Sequence, residues 1–154
     1  MEKKYELTEE TLEIDGHVLN RIIALRDFGE VKKGDLGGFI EKESNLAHDW
    51  NCWIYNDAVV RDDAMVCGEA RVYGKAKVRG EAVIKSKSDY IVFKNWWSSG
   101  RYFTWTSSND MWSVGCFYGT GEELIKKAYA DNEEKGREYE RVVKYVESIK
   151  QELK

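Results

Sequence analysis

Three basic residues near the C-terminus have a spacing that could grip an anion. Arg137, Arg141 and Lys144 stand at positions i, i+4 and i+7, so on a helix they lie along one stripe. Guanidinium groups bind phosphate through paired hydrogen bonds, and the spacing therefore fits a phosphate clamp. Glu133 and Glu140 are i,i+4 partners of Arg137 and Lys144, so a solvated face with its own ion pairs explains the same spacing.

Aromatic rings form a second group that could take part in binding. The candidates for a stacking surface are Trp96, Trp97, Tyr102, Trp105, Trp112 and Phe117. A base stacked on such a ring contributes about 1–3 kcal/mol. Cores and subunit interfaces are also rich in aromatic residues, so packing is the alternative interpretation. Together with the guanidinium groups, exposed rings would suit a nucleotide, whose base stacks while its phosphates are clamped.

Residues that point to catalysis are few. The two histidines are His17, beside a predicted hairpin turn, and His48, which the repeat described below places in an inward-facing register. A histidine-catalysed acyl transfer would have to use one of them. Cys52, Cys67 and Cys116 have no CxxC spacing, so neither a disulfide nor a metal site is expected. We therefore predict that the protein is not an enzyme and needs no cofactor.

The composition argues against several classes of protein. The chain has 154 residues, 24 Lys and Arg against 28 Asp and Glu, a net charge of −4 and 42% hydrophobic residues. An acidic chain without a basic block is poorly suited to DNA or RNA polymers. No apolar run reaches the roughly 18 residues of a membrane span, and the N-terminus does not have the pattern of a secretory signal. We expect a cytoplasmic protein with neither a nucleic-acid polymer nor a membrane as partner.

A period of six residues dominates the middle of the chain. The alanines of the repeat are Ala58, Ala64, Ala70, Ala76 and Ala82, and each is followed two places later by a branched residue, namely Val60, Val66, Val72, Val78 and Ile84. Residues two apart on a strand share a face, so each pair is predicted to point inward. Glycines at 68, 74 and 80 let the chain turn. The pattern resembles the hexapeptide-repeat family, whose short strands stack as a left-handed parallel β-helix, and we expect Ile40 to lie in the alanine register.

Other elements flank the repeat. Asp15-Gly16 separates two β-rich runs, 11–14 and 17–25, which indicates a hairpin. Strand-like runs at 90–97, 102–106 and 111–118 indicate a three-stranded antiparallel meander.

Two helices are predicted at the C-terminus. Thr120 with Glu123 gives a capping-box signal for a helix from 121 to about 129, and Asp131 or Asn132 caps a second helix to about 153. The predicted fold is thus mainly β, with a hairpin cap at 1–33, a short left-handed parallel β-helix at 34–87, an aromatic meander at 88–119 and two helices at 120–154, packed as one domain.

From about residue 30 onward the chain resembles a group of small bacteriophage and prophage proteins. They share hexapeptide repeats, a segment ending near GCFxGT, here Gly115–Thr120, and a helix with a DNE-x-x-x-x-EY core, here Asp131–Tyr139. The outline is also similar to phage anti-defence proteins of the Thoeris type. That likeness implies a nucleotide ligand held by Arg137 and Arg141, and the hexapeptide-repeat family implies a homo-oligomer, a trimer or a multiple of one.

These residues and resemblances lead to three functional hypotheses. The first is a non-catalytic phage anti-defence protein that sequesters a cyclic oligonucleotide or a cyclic ADP-ribose isomer in the host cytosol. The second is a phage accessory protein that inhibits a host protein through its aromatic face. The third is a hexapeptide acyltransferase, although so few coils leave little surface on which a long acyl carrier could bind.

Overall fold

The computed structural model describes residues 2–153 and is mainly β, with several sheets and two C-terminal helices. The chain divides into two compact units, residues 1–87 and 88–154. Within the described residues, no helix combines the length and the apolar character that crossing a membrane requires.

The first unit begins with the predicted hairpin. Strands β1 (Tyr5–Ile14) and β2 (His17–Ala24) pair antiparallel, and β1 is longer than the sequence indicated. The turn residues Asp15 and Gly16 have φ angles of 50° and 81°. Two consecutive positive φ angles define the type I′ turn, which is why Asp-Gly is favoured there. The hairpin prediction is confirmed.

The repeat forms short parallel strands that return at a fixed interval. After β3 (Leu36–Ile40) come β4 (Trp53–Ile54), β5 (Val59–Val60), β6 (Met65–Val66), β7 (Arg71–Val72), β8 (Lys77–Val78) and β9 (Val83–Ile84). Strand β4 pairs with β7, β5 with β8 and β6 with β9, in each case with the residue eighteen places further on. Three six-residue repeats therefore make one turn of the coil.

The inward register is as predicted. The alanines of the repeat and the branched residues two places after them are all buried. Gly68, Gly74 and Gly80 have φ angles of 65°, 68° and 66°, so the glycine register marks the corners. Glycine adopts this left-handed conformation without steric cost, and this explains its period.

The start of the coil departs from the predicted register. Ile40 pairs with Val60 and Leu46 bridges to Val66, each twenty residues on, whereas Trp53 pairs with Arg71 at eighteen. Two additional residues thus lie between Leu46 and Trp53. Ile40 is therefore not in the alanine register, and the register assigned to the residues just after Leu46 is wrong as well.

The second unit begins with a four-stranded antiparallel sheet. Its strands are β10 (Tyr90–Lys94), β11 (Tyr102–Thr106), β12 (Met111–Val114) and β13 (Phe117–Gly119), paired in that order. The predicted third strand, 111–118, is in fact two strands. Gly115 has a φ of 56° and turns the chain back on itself between them.

Two helices complete this unit. Helix α1 (Gly121–Asp131) begins with the predicted capping box between Thr120 and Glu123, and α2 (Glu133–Ile149) begins with Asn132 accepting from the Lys135 amide. Their inner faces pack on one side of the sheet in a core whose buried members are Phe103, Trp105, Trp112, Val114, Leu124, Ala128, Tyr139, Val143 and Val146. Both helix predictions are confirmed.

Candidate functional site

The first unit contains a histidine that is held by a carboxylate. His17 is the first residue of β2, directly after the hairpin turn, and Glu41 follows the last residue of β3. The β2–β3 pairing brings these two strand ends together although 24 residues separate them in sequence. His17 Nδ1 lies 2.7 Å from Glu41 Oε2. The histidine side chain is 35% exposed, so the ring is oriented but still open to solvent.

Glu41 is fixed through both of its oxygens. Oε1 accepts a 2.7 Å hydrogen bond from the backbone N–H of Asp62, while Oε2 faces the imidazole. The hydrogen bond to His17 lowers the pKa of Glu41, the Asp62 amide lowers it further, and partial burial opposes both. Glu41 is therefore ionised at neutral pH, and an ionised carboxylate only accepts hydrogen bonds. In neutral His17 the proton consequently resides on Nδ1, which leaves the Nε2 lone pair available.

The far side of the imidazole faces a second carboxylate. Asp62 Oδ1 lies 3.9 Å from His17 Nε2 and 3.6 Å from Arg61 Nη1. Arg61, only 5% exposed in its side chain, also pairs with Asp15 Oδ2 at 3.2 Å. The hairpin turn, the corner after β5 and the end of β3 are thus tied together around His17.

The geometry fits a proton-transfer group better than a metal site. His17, Glu41 and Asp62 each offer a ligand atom, all within 4.8 Å of one another. Two ligands of a tetrahedral zinc ion, each about 2.0–2.1 Å from it, lie roughly 3.3 Å apart. The His17–Glu41 separation is 2.7 Å, the length of a charge-assisted hydrogen bond. A histidine oriented through Nδ1 with Nε2 open is the arrangement of a general base.

His48 does not occupy the inward register that its spacing predicted. Because of the two additional residues, Leu46 takes the buried position, and His48 stacks on Tyr5 with ring centroids 4.2 Å apart. Its Nδ1 accepts the Lys4 N–H, and Nε2 lies 3.6 Å from Glu43 Oε1. Burial lowers the pKa of His48, against the effect of Glu43. The residue is part of the packing under the hairpin.

The predicted basic stripe lies on the exposed face of α2. Arg137, Arg141 and Lys144 are all exposed, and Arg141 pairs with Glu138 at 3.2 Å. Lys144 lines a shallow groove between α1 and α2 that Glu140 and Glu147 share. These surroundings are those of a solvated helix face with its own acidic partners.

The predicted stacking rings are divided between the core and the surface. Trp105 and Trp112 are 2% and 1% exposed and belong to the core, so these two rings do not form a stacking surface. Trp97, Tyr102 and Phe117 are half-buried, whereas Trp96 is 79% exposed.

The structure does not group these rings with the basic stripe. Trp97 and Phe117 line cavities whose basic residues are Arg101, Lys127 and Lys135, and the groove that Lys144 lines contains none of the predicted rings.

Sequence reasoning missed the pairing of His17 with Glu41. The signal available was a histidine directly after an Asp-Gly turn, which fixes its place at the start of a strand. Glu41 lies before the regular repeat, where no periodicity indicates its neighbours.

The comparisons with known proteins give one partial likeness. No family model matches the sequence. A stretch of 66 residues is 39% identical to the Uncharacterized acetyltransferase YdcK of Escherichia coli (strain K12). The match covers 38% of this chain and 20% of the relative, so the chain spans about a fifth of the length of the curated protein it matches.

This likeness corrects the functional predictions. A non-catalytic protein that sequesters a nucleotide messenger, and an inhibitor that acts only by binding a host protein, both conflict with similarity to a protein named as an acetyltransferase. The prediction that the chain is not an enzyme is contradicted for the same reason. Physically, the aromatic and basic residues behind those hypotheses are largely core and solvated surface.

Proposed function

We propose that this protein is an acyltransferase in which His17 is the general base. The observation that carries the proposal is the 2.7 Å contact between His17 Nδ1 and Glu41, which leaves Nε2 as a proton acceptor on a partly exposed ring. The partial identity to a protein named as an acetyltransferase supports the same class of reaction. The donor that we propose is an acetyl thioester.

In the proposed reaction, Nε2 of His17 takes the proton from an acceptor amine or hydroxyl. The freed lone pair attacks the thioester carbonyl carbon, a new C–N or C–O bond forms, and the C–S bond breaks. The departing thiolate receives the proton from the imidazolium, so the histidine returns to its neutral form. Glu41 is a positioning residue: it holds the ring and its negative charge stabilises the imidazolium.

The finer fold and the assembly are part of the proposal. We propose that the eighteen-residue coil is the left-handed parallel β-helix of hexapeptide-repeat proteins, and that the protein is a homo-oligomer, a trimer or a multiple of one. The parallel pairing of β4 with β7 and its two counterparts supports the coil, and the resemblance of the repeat supports the oligomer. Light scattering coupled to gel filtration measures the number of subunits in the oligomer.

The test is an acetyl-transfer assay with matched variants. Purified protein is incubated with acetyl-coenzyme A and a panel of primary amines and hydroxyl compounds, and released coenzyme A is measured by chromatography. Detection reagents that react with thiols are avoided, because the exposed thiol of Cys116 would interfere with the measurement. His17→Gln removes the base and is expected to lower the rate about 10²–10⁴-fold. Glu41→Gln keeps a similar shape and is expected to give a smaller loss.

The control is Asp63→Asn. Asp63 pairs with Lys42 at 2.8 Å on the surface beside the site and has no contact with His17, so its loss is expected to leave the rate unchanged. Activity that survives His17→Gln while His48→Gln abolishes it would move the base to His48. Absence of turnover with every acceptor, together with no binding of acetyl-coenzyme A, would refute the proposal.

A further inference from the structure

The base of the proposed reaction lies beside a second atom that accepts hydrogen bonds. His17 Nε2 and Asp62 Oδ1 are 3.9 Å apart, too far for a hydrogen bond between them. The exposed fractions of the two side chains are 35% and 30%, so solvent reaches both. The nucleophile, meaning the amine or hydroxyl group that receives the acetyl group, therefore meets two neighbouring atoms and not the base alone.

Both of these atoms accept hydrogen bonds and donate none. Glu41 holds the proton of neutral His17 on Nδ1, so Nε2 presents a lone pair. Asp62 Oδ2 accepts the Gly80 amide at 2.9 Å, and Oδ1 lies 3.6 Å from the Arg61 guanidinium group. A carboxylate has no hydrogen to donate. A nucleophile that binds at both atoms must therefore supply two hydrogens.

The separation of the two atoms fits the two N–H bonds of one amine. A nitrogen atom about 2.9 Å from both Nε2 and Oδ1 is at the ordinary hydrogen-bond distance from each. Because the two acceptors are 3.9 Å apart, the angle between these hydrogen bonds is about 85°. The N–H bonds of an amine are about 107° apart, so each hydrogen bond bends by only about 10°. A hydroxyl group has one hydrogen and reaches only one of the two atoms.

We propose that the nucleophile is a primary amine and that Asp62 selects it over a hydroxyl group. This inference rests on the proposed acyl transfer with His17 as the base. One N–H of the amine donates to His17 Nε2 and the other donates to Asp62 Oδ1. The product is then an amide and not an ester.

The selection becomes stronger as the reaction proceeds. The amine gives one proton to Nε2, its nitrogen bonds to the carbonyl carbon, the C–S bond breaks, and the imidazolium passes the proton to the thiolate. The second hydrogen stays on the nitrogen and donates to Asp62 throughout, while the carboxylate stabilises the positive charge that develops on the nitrogen. A hydroxyl group that has given its only proton to Nε2 would turn an electron-rich oxygen towards Oδ1, and like charges repel.

The chain contains a precedent for the variant that tests Asp62. Asn56 stands at the equivalent corner one repeat earlier, and its Oδ1 accepts the Gly74 amide at the same 2.9 Å that joins Asp62 to Gly80. In Asp62→Asn the carboxamide oxygen keeps the bond to Gly80, so the NH2 group replaces Oδ1 beside His17. The variant therefore exchanges an acceptor for a donor while the corner is retained.

The experiment measures kcat/KM with acetyl-coenzyme A for two matched pairs of nucleophiles. Benzylamine is compared with benzyl alcohol, and D-glucosamine with D-glucose, after uncatalysed transfer has been subtracted. The wild-type ratio of amine to alcohol includes the greater intrinsic reactivity of amines, so the change of this ratio in the variant is the decisive quantity. We expect Asp62→Asn to lower the ratio about tenfold or more, because its N–H opposes the N–H of an amine but donates to a hydroxyl oxygen.

A second measurement uses the wild type. N-Methylbenzylamine has one N–H and cannot bond to Nε2 and Asp62 together. We expect its kcat/KM to be about tenfold lower than that of benzylamine, and Asp62→Asn to reduce this difference. The control variant is Asp63→Asn, which makes the same chemical change at the next residue. Asp63 pairs with Lys42 at 2.8 Å, so this variant should leave the ratio of amine to alcohol unchanged.

The possible failures distinguish this inference from the proposal on which it rests. If Asp62→Asn leaves the ratio unchanged while His17→Gln still lowers transfer to both nucleophiles, selection by Asp62 is wrong and acyl transfer stands. A higher kcat/KM for the alcohols than for the amines in the wild type would overturn the amine class in the same way. A wild type that acetylates none of these nucleophiles would overturn both.

Discussion

Replacing Gly136 by alanine should destabilise the second unit, although helix propensity alone predicts the opposite. Gly136 is a buried residue in the interior of α2. At an ordinary helix-interior site, Gly→Ala stabilises by about 1 kcal/mol because alanine loses less conformational entropy. Here a Cβ atom would lie 2.7 Å from Tyr129 Cδ2 and still closer to the Cγ and Cδ1 atoms of the same ring.

The size of the effect follows from what Tyr129 would lose. Carbon atoms in contact prefer about 3.5–4.0 Å, so the ring has to leave its place on α2. It then gives up the 2.7 Å hydrogen bond to Glu140, about 0.5–1.5 kcal/mol, and the burial of the ring face over Gly136, about 1–2 kcal/mol. After the propensity gain of about 1 kcal/mol is subtracted, we expect Gly136→Ala to lower the free energy of unfolding by about 0.5–2.5 kcal/mol.

A double-mutant cycle separates the two effects. In a Tyr129→Ala background the steric conflict is gone, and Gly136→Ala should stabilise by about 1 kcal/mol, which reverses the sign. In a Tyr129→Phe background the ring remains and Gly136→Ala should still destabilise. The assay is urea unfolding followed by circular dichroism at 222 nm. Stabilisation of the wild-type background by Gly136→Ala would refute the packing of Tyr129 on this glycine.

Three further variants test other parts of the structure. Gly38→Ala should lower the midpoint of thermal unfolding, because the Cβ of the alanine would lie 2.6 Å from Ile54 Cγ2 inside the coil, and overpacking costs about 1–3 kcal/mol. Calorimetry measures this midpoint. Thr120→Ala should cost about 1 kcal/mol in urea unfolding, since the Glu123 amide loses its acceptor. Glu41→Gln should make the free energy of unfolding less dependent on pH in the acid range. The pKa of Glu41 is below its ordinary value of 4.5, so the stabilisation that this carboxylate gives the folded state is present above about pH 4.5 and is lost as pH falls through the folded-state pKa. Urea unfolding between pH 3 and 6 measures the slope, and equal slopes in both proteins would contradict the contact with His17.

The repeat could be predicted from the sequence because one physical requirement selects the residue type at each position of its period. Alanine and branched residues mark the buried face, and glycine marks corners with positive φ angles. The register failed before Trp53, where two additional residues lie in a segment without the period. Sequence alone does not show where such an insertion falls, since either side of it can be aligned with the repeat.

The aromatic segment and the candidate site were harder to predict for different reasons. The turn at Gly115 interrupts a run of strand-forming residues, so the run suggested one strand instead of two. Trp105 and Trp112 are buried because α1 and α2 cover one face of the sheet. The number of aromatic residues in the strands does not indicate which face is covered. His17 and Glu41 meet only through strand pairing between β2 and β3, a contact that no local pattern encodes.

The corner after β5 connects the repeat with the proposed chemistry. Asn56 and Asp62 stand at corners with φ angles of 56° and 59°, where later repeats have glycine. Their side chains do the same structural work, since Asn56 Oδ1 accepts from the Gly74 amide and Asp62 Oδ2 from the Gly80 amide, both at 2.9 Å. A neutral amide is sufficient for that bond, as Asn56 demonstrates. The charge at Asp62 is therefore explained by its other oxygen, which lies between Arg61 and His17 and would stabilise the imidazolium formed when His17 accepts a proton.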